Sequence, residues 1–137
     1  MSKTILITGG AGFIGSHVVR LFVNKYPDYK IVNLDKLTYA GNPENLVSLK
    51  ENSNHIFFQE DIANTSAVNK LLKEYNPRFI VNFAAESHVD RSIHFPENFI
   101  QTNIVGTFQL LESTRSYWNN LGDKEKTNFR FLHVSTD

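Results

Sequence analysis

Three glycines at positions 9, 12 and 15, in Thr8-Gly9-Gly10-Ala11-Gly12-Phe13-Ile14-Gly15, separate the apolar run Ile5-Leu6-Ile7 from a segment with helical apolar spacing. A strand that turns directly into a helix leaves the first helical N–H groups unpaired. It also puts the positive end of the helix dipole at the turn, an arrangement suited to phosphate. Gly9 can adopt φ > 0, Gly12 leaves a pyrophosphate room against bare backbone, and Gly15 lets helix and strand pack closely. The spacing is G-x-x-G-x-x-G, not the commoner G-x-G-x-x-G. Asp35 stands twenty residues past Gly15, at the end of the second apolar run Ile31-Val32-Asn33-Leu34. A carboxylate there accepts hydrogen bonds from adenosine ribose hydroxyls. Together these residues read as a dinucleotide site, against the alternative of a glycine-rich turn with no ligand. Asp35 repels a 2′-phosphate and so favours NAD over NADP, a preference that the neighbouring Lys36 softens if it pairs with phosphate. Asp61 is either a residue of the adenine end or a turn acid.

Other chemically suggestive residues exclude more than they promise. Ser87, His88 and Asp90 share one loop, and near-neighbours cannot form a nucleophile, a base and an acid behind that base. The five histidines show neither H-x-x-x-H nor H-E-x-x-H spacing, so no metal site is expected. The chain has no cysteine, which removes disulfides and thiolate ligands. Arg91 is either a phosphate contact or a solvated arginine.

The elements that must position these residues alternate. Strands are expected at Ile5–Ile7, Ile31–Leu34, Ile56–Phe58, Phe79–Ala85 and Phe129–Ser135. A helix follows the glycines, with Ile14, Val18, Leu21 and Phe22 on one face. Asn42-Pro43 opens a short helix through Leu46 and Leu49, and another begins near Asn64 or Thr65 with Val68, Leu71, Leu72 and Tyr75 on one face. Residues 86–95 read as a polar loop and 119–128 as a charged connector. Pro96 opens the longest helix, to about Trp118, with Ile100, Ile104, Phe108 and Leu111 forming one apolar face. Phe99, Leu110 and Tyr117 lie elsewhere around it. Such a helix is either an oligomer face or buried under a further segment. Gly106 in its middle suggests close backbone approach.

Alternation of this kind implies crossover units. The fold class is therefore α/β, a doubly wound parallel sheet of Rossmann type that binds ligands at the carboxyl ends of its strands. Gly9–Gly15, Asp35–Thr38, Asp61-Ile62, Ala84–Ser87 and Thr136-Asp137 should then line one edge.

With 137 residues, 41% hydrophobic and 20% charged, the chain fits one domain, residues 1–137. Fourteen basic and fourteen acidic residues give no nucleic-acid or membrane surface. No stretch approaches membrane-span length and no leader is evident, so a cytoplasmic protein is expected.

The stretches ILITGGAGFIGSHVVR, LDKLTYAGN, EDI, FAAESHVDRSI, TNIVGTFQLLE and HVSTD resemble the nucleotide-sugar dehydratases of the extended short-chain dehydrogenase/reductase family. TGGAGFIG alone is shared with epimerases and decarboxylases, whereas DKLTYAGN and AAESHVDRSI are more specific. The resemblance implies a homodimeric lyase acting on dTDP-glucose, with NAD tightly bound and returned unchanged. It further implies that Gly9, Gly12, Phe13, Ile14, Gly15, Asp35, Lys36, Leu37, Thr38, Asp61, Ile62, Ala84, Ala85 and Thr102 surround the cofactor. Ser87 and Thr136 contact substrate, and Asp137 is the acid that protonates the departing C6 hydroxyl. The family's glutamate, tyrosine and lysine have no counterpart in these residues. The sheet is thus expected to be incomplete at its C-terminal end, with the fifth strand an open edge, and the chain alone is expected not to turn over substrate. A UDP-sugar 4-epimerase and a non-catalytic NAD-binding module are the alternatives.

Overall fold

The computed structural model describes residues 3–37, 41–86 and 89–135. Among them, strands β1 (Thr4–Thr8), β2 (Lys30–Asp35), β3 (His55–Gln59), β4 (Phe79–Asn82) and β5 (Arg130–His133) form one sheet in the order β3-β2-β1-β4-β5. Every pairing is parallel, and Thr8 stands opposite both Leu34 and Asn82. Parallel strands need crossovers, and crossovers cover both faces, which is why β1 and β2 are apolar almost without interruption. Alternation sends Ile5, Ile7, Ile31 and Val81 to one apolar cluster and Leu6, Val32, Leu34 and Ile80 to the other.

The first face is covered by α1 (Phe13–Lys25) and a 3₁₀ turn, Pro43–Leu49, which bury Val19, Val23, Leu46 and Leu49. Asn42 caps that turn by accepting from the Glu44 N–H at 2.9 Å. The expected face of α1 holds at Val18 and Phe22, which pack against this cluster, and is corrected at Ile14 and Leu21. Gly15, Ser16, Val19 and Val23 are buried, whereas Ile14 is 62% and Leu21 54% exposed. Gly15 and Ser16 bring the helix closest to the glycine turn, so small size rather than hydrophobicity selects the inward face at this end.

On the other face, α2 (Thr65–Tyr75) follows expectation. Asn64 caps it through the Ala67 N–H, and Val68, Leu71 and Leu72 are buried. Asn76 ends it in the left-handed region at φ 46°, with Pro77 next. The segment read as one long helix is three: α4 (Pro96–Phe99), a π-helical stretch Ile100–Gly106, and α5 (Thr107–Asn119). Leu110, Ser113 and Thr114 face inward, while Ile100, Ile104, Phe108 and Leu111 form an exposed stripe. Gly106 is a close approach, since a Cβ there would lie 3.1 Å from the Ile62 side chain. Two short helices, α3 (Val89–His94) and α6 (Asp123–Asn128), replace an expected loop and part of a connector. Each is too short for apolar periodicity to register. β4 is shorter than its apolar run because Asn82 Oδ1 accepts the Ala84 N–H at 3.1 Å and turns the chain out of the ladder.

Tyr117 ties α5 to the end of α2. Its hydroxyl donates to the Pro77 carbonyl at 2.7 Å, and its ring meets Phe129 edge-on with centroids 5.8 Å apart. Burial first, and the Glu125 charge second, push the Tyr117 phenol up to about 12. The folded-state value lies above the unfolded one of about 10, so this contribution is complete below about pH 10 and is lost as pH rises through the folded value. Urea unfolding of wild type should therefore show stability falling between pH 10 and 12, and Tyr117→Phe should flatten that fall.

Candidate functional site

Four strand ends and the π-helical stretch converge on one cleft. It is lined by Gly9, Gly12, Leu34, Asp35, Lys36, Gly41, Glu60, Asp61, Ile62, Phe83, Ala84, Ala85, Glu86 and Thr102. The glycine turn forms its floor. Gly9 has φ 71°, and a Cβ there would stand 2.6 Å from the Phe83 carbonyl carbon. A Cβ on Gly15 would lie 2.2 Å from the Gly9 carbonyl oxygen. Neither position tolerates a side chain without backbone movement.

The start of α1 meets the cleft at Gly12. Its N-cap is Gly12, no side chain caps it, and no acidic residue occupies the first turn. A helix end of this kind fits a phosphate.

Asp35 is buried and accepts two backbone bonds, from the Ala11 N–H through Oδ2 and from the Leu37 N–H through Oδ1, each 2.8 Å. Each oxygen retains accepting capacity. Ala11 is held from the other side as well, its carbonyl accepting from the Asn42 N–H at 3.0 Å and Asn45 Nδ2 at 2.9 Å. Beside this, Lys36 and Asp61 pair across the cleft mouth at 3.3 Å, and Asp61 Oδ1 accepts the Ala63 N–H at 2.9 Å. Asp61 is therefore both a turn acid and a cleft residue. Both partners of the pair are substantially exposed, so it orders the mouth more than it stabilises the fold.

Nine expected residues thus share the cleft: Gly9, Gly12, Asp35, Lys36, Asp61, Ile62, Ala84, Ala85 and Thr102. Gly15 lies behind it, packed on the turn. Phe13 and Ile14 sit exposed on the first turn of α1. Leu37, at φ 59°, packs against the apolar cluster under α1. Thr38, Ser87, Thr136 and Asp137 lie outside the described residues.

Asn103 was not anticipated. Its side chain grips the Glu86 backbone from both sides, accepting the N–H at 2.8 Å and donating to the carbonyl at 2.9 Å. The π-helical winding holds Thr102 on the cleft and Asn103 on Glu86 side by side. Such widened turns recur at functional sites. A side-chain amide supplies the donor and the acceptor from two separate atoms, as this two-sided contact uses them. The sequence signal was the asparagine beside Thr102, which carries no periodicity of its own.

A family model described as GDP-mannose 4,6 dehydratase matches residues 6–137. The chain belongs to this family. It is 55% identical over 134 residues to dTDP-glucose 4,6-dehydratase of Xanthomonas campestris pv. campestris strain B100, covering 98% of this chain and 38% of the relative. The same-named protein of Salmonella typhimurium is 53% identical, over 97% of this chain and 37% of the relative. The chain therefore spans under two fifths of these relatives' length. Among solved structures, dTDP-glucose 4,6-dehydratase from Bacillus anthracis in complex with NAD superposes with TM-score 0.79 and 38% identity, over 98% of this chain and 38% of that one. UDP-glucose 4-epimerase from Thermotoga maritima, with UDP-glucose, superposes with TM-score 0.78 and 32% identity, over 97% and 38%. The fold is thus common to dehydratases and epimerases, and the higher sequence identity lies with the dehydratases.

Replacing Asn103 by alanine should orphan two backbone groups of the buried Glu86, at a cost of about 1–3 kcal/mol. Chemical denaturation measures the loss, and amide exchange should quicken at Glu86.

Proposed function

We propose that this chain is the amino-terminal, NAD-binding part of a dTDP-glucose 4,6-dehydratase. The observation that carries the reading is the uncapped end of α1 facing the same cleft as the buried carboxylate of Asp35, in a chain half identical to proteins of that name. The residues fit a dinucleotide. Backbone N–H groups at the start of α1 bind the pyrophosphate, with Gly12 leaving it room. Asp35 keeps its two backbone bonds and accepts ribose hydroxyls with its remaining lone pairs. Its charge disfavours a 2′-phosphate, and Lys36, already paired with Asp61, does little to offset that.

NAD held there would supply a hydride acceptor for C4 of the glucose ring and a hydride donor for C6. This chain's own part is to hold and protonate. Ser87 and Thr136 contact the sugar, Thr136 near C4, and Asp137 delivers a proton to the departing C6 hydroxyl. The chain covers 38% of the Xanthomonas relative's length, and the remaining steps on the sugar are assigned to the part it does not span.

The reading implies a cytoplasmic enzyme of nucleotide-sugar metabolism, whose product is a precursor of rhamnose and other deoxysugars. It also implies a homodimer, supported by the exposed stripe Ile100, Ile104, Phe108 and Leu111. No helix among the described residues is long and apolar enough to cross a membrane.

The full-length protein, incubated with dTDP-glucose, should yield a nucleotide sugar lighter by one water. Asp137→Asn should slow that step by about 10²–10⁴-fold with bound NAD retained. Inversion at C4 of UDP-glucose instead would select the epimerase, and NAD binding without turnover of either sugar would select the binding module. In a separate test, Asp35→Ala should weaken NAD binding at least tenfold, about 1.4 kcal/mol, as read by titration calorimetry.

A further inference from the structure

The last residue pairs before the cleft form a polar row across three strands. Thr8, Asn82 and His133 stand directly opposite one another on β1, β4 and β5. Thr8 and Asn82 are completely buried. A buried amide at the end of an otherwise apolar ladder is costly unless satisfied, and here every polar atom of Asn82's side chain has a partner. The Thr8 hydroxyl donates to Oδ1, the Ala84 N–H donates to Oδ1 at 3.1 Å, and Nδ2 lies 3.0 Å from His133 Nδ1.

These contacts have a direction. A backbone N–H can only donate, so the atom facing Ala84 must be the amide oxygen. The amide nitrogen then faces His133, and because it carries only hydrogens, His133 Nδ1 must accept. An imidazole that accepts at Nδ1 carries its proton at Nε2.

We propose that Asn82 is a positioning residue: it fixes His133 as the Nε2–H tautomer and locks the end of β5 to the cleft wall at Ala84. Ala84 lines the cleft, and the chain leaves His133 through Val134 and Ser135 toward Thr136 and Asp137. One amide therefore couples the wall of the cofactor cleft to the strand that delivers the acid. That functional consequence rests on the dehydratase reading; the tautomer does not.

The test is ¹⁵N-histidine NMR of the full chain without substrate, at a pH where the imidazole is neutral. Wild type should show His133 Nδ1 with the shift of an unprotonated nitrogen and Nε2 with that of an N–H. Asn82→Asp presents a carboxylate oxygen where the amide donated, and should move the proton to Nδ1. Thr8→Val should leave the tautomer unchanged, since the Ala84 N–H alone still orients the amide. This arm and the wild-type spectrum decide the matter if Asn82→Asp does not fold. A wild-type Nδ1–H tautomer, or no change in Asn82→Asp, overturns the relay. In the full-length enzyme, Asn82→Asp should lower kcat on dTDP-glucose by on the order of a hundredfold with KM and bound NAD unchanged. A flipped tautomer with unaltered kcat overturns the positioning role. An Nε2–H tautomer in a protein inert toward dTDP-glucose upholds the relay and rejects only the dehydratase reading.

Discussion

The structure depends on how closely β1 can approach its neighbours as it turns. Gly9 sits against the Phe83 backbone at a distance that excludes even a methyl group, and Gly15 sits as closely against Gly9. Three segments (the end of β1, the start of α1 and the turn after β4) thereby meet with no side chain between them. The central strand of the sheet and the first helix can then share one apolar cluster, and α1 starts at the strand ends with Gly12 on the cleft. The same constraint accounts for the inward face of α1. Once Gly15 and Ser16 must touch the turn, Val19 and Val23 follow them into the core and Ile14 and Leu21 are carried outward.

The turn is then held from outside itself. Ala11 gives its N–H to Asp35 at the end of β2 and receives at its carbonyl from Asn42 and Asn45, beyond that strand. Asp35 is therefore as much a structural acceptor as a ligand group, its burial being offset by two charge-assisted bonds. The same economy recurs on the other side of the cleft. Asn103 clamps Glu86, and Asn82 joins Thr8, Ala84 and His133. A parallel sheet ends on one edge with its backbone groups unpaired, and short amides are well suited to pair them because each carries both donor and acceptor.

The winding of the last long helical segment belongs to the same picture. Gly106 is pressed against Ile62, a cleft residue, and the helix there widens to π geometry while Thr102 lines the cleft. Beyond it the helix presents two unlike faces. Leu110, Ser113 and Thr114 are buried, whereas Ile100, Ile104, Phe108 and Leu111 stay exposed. Apolar residues on both sides of one helix signal two contacts, and only one is made within the described residues.

Much of this was legible in the residues alone. Short apolar runs marked the five strands of the described residues, alternation implied the parallel doubly wound sheet, and Gly9, Gly12 and Asp35 line the cleft at the strand ends where they were expected. These features depend on backbone sterics and local spacing, which travel with the sequence. The cap at Asn42 and the helix start near Asn64 were legible for the same reason. What only the tertiary structure decided is which atoms those residues face. The inward side of α1, the π-helical winding, the Lys36–Asp61 pair, the grip of Asn103 on Glu86 and the row from Thr8 to His133 each join positions brought together by packing rather than by spacing. An isolated asparagine has no period, and its partner is named only when three strands have been laid side by side.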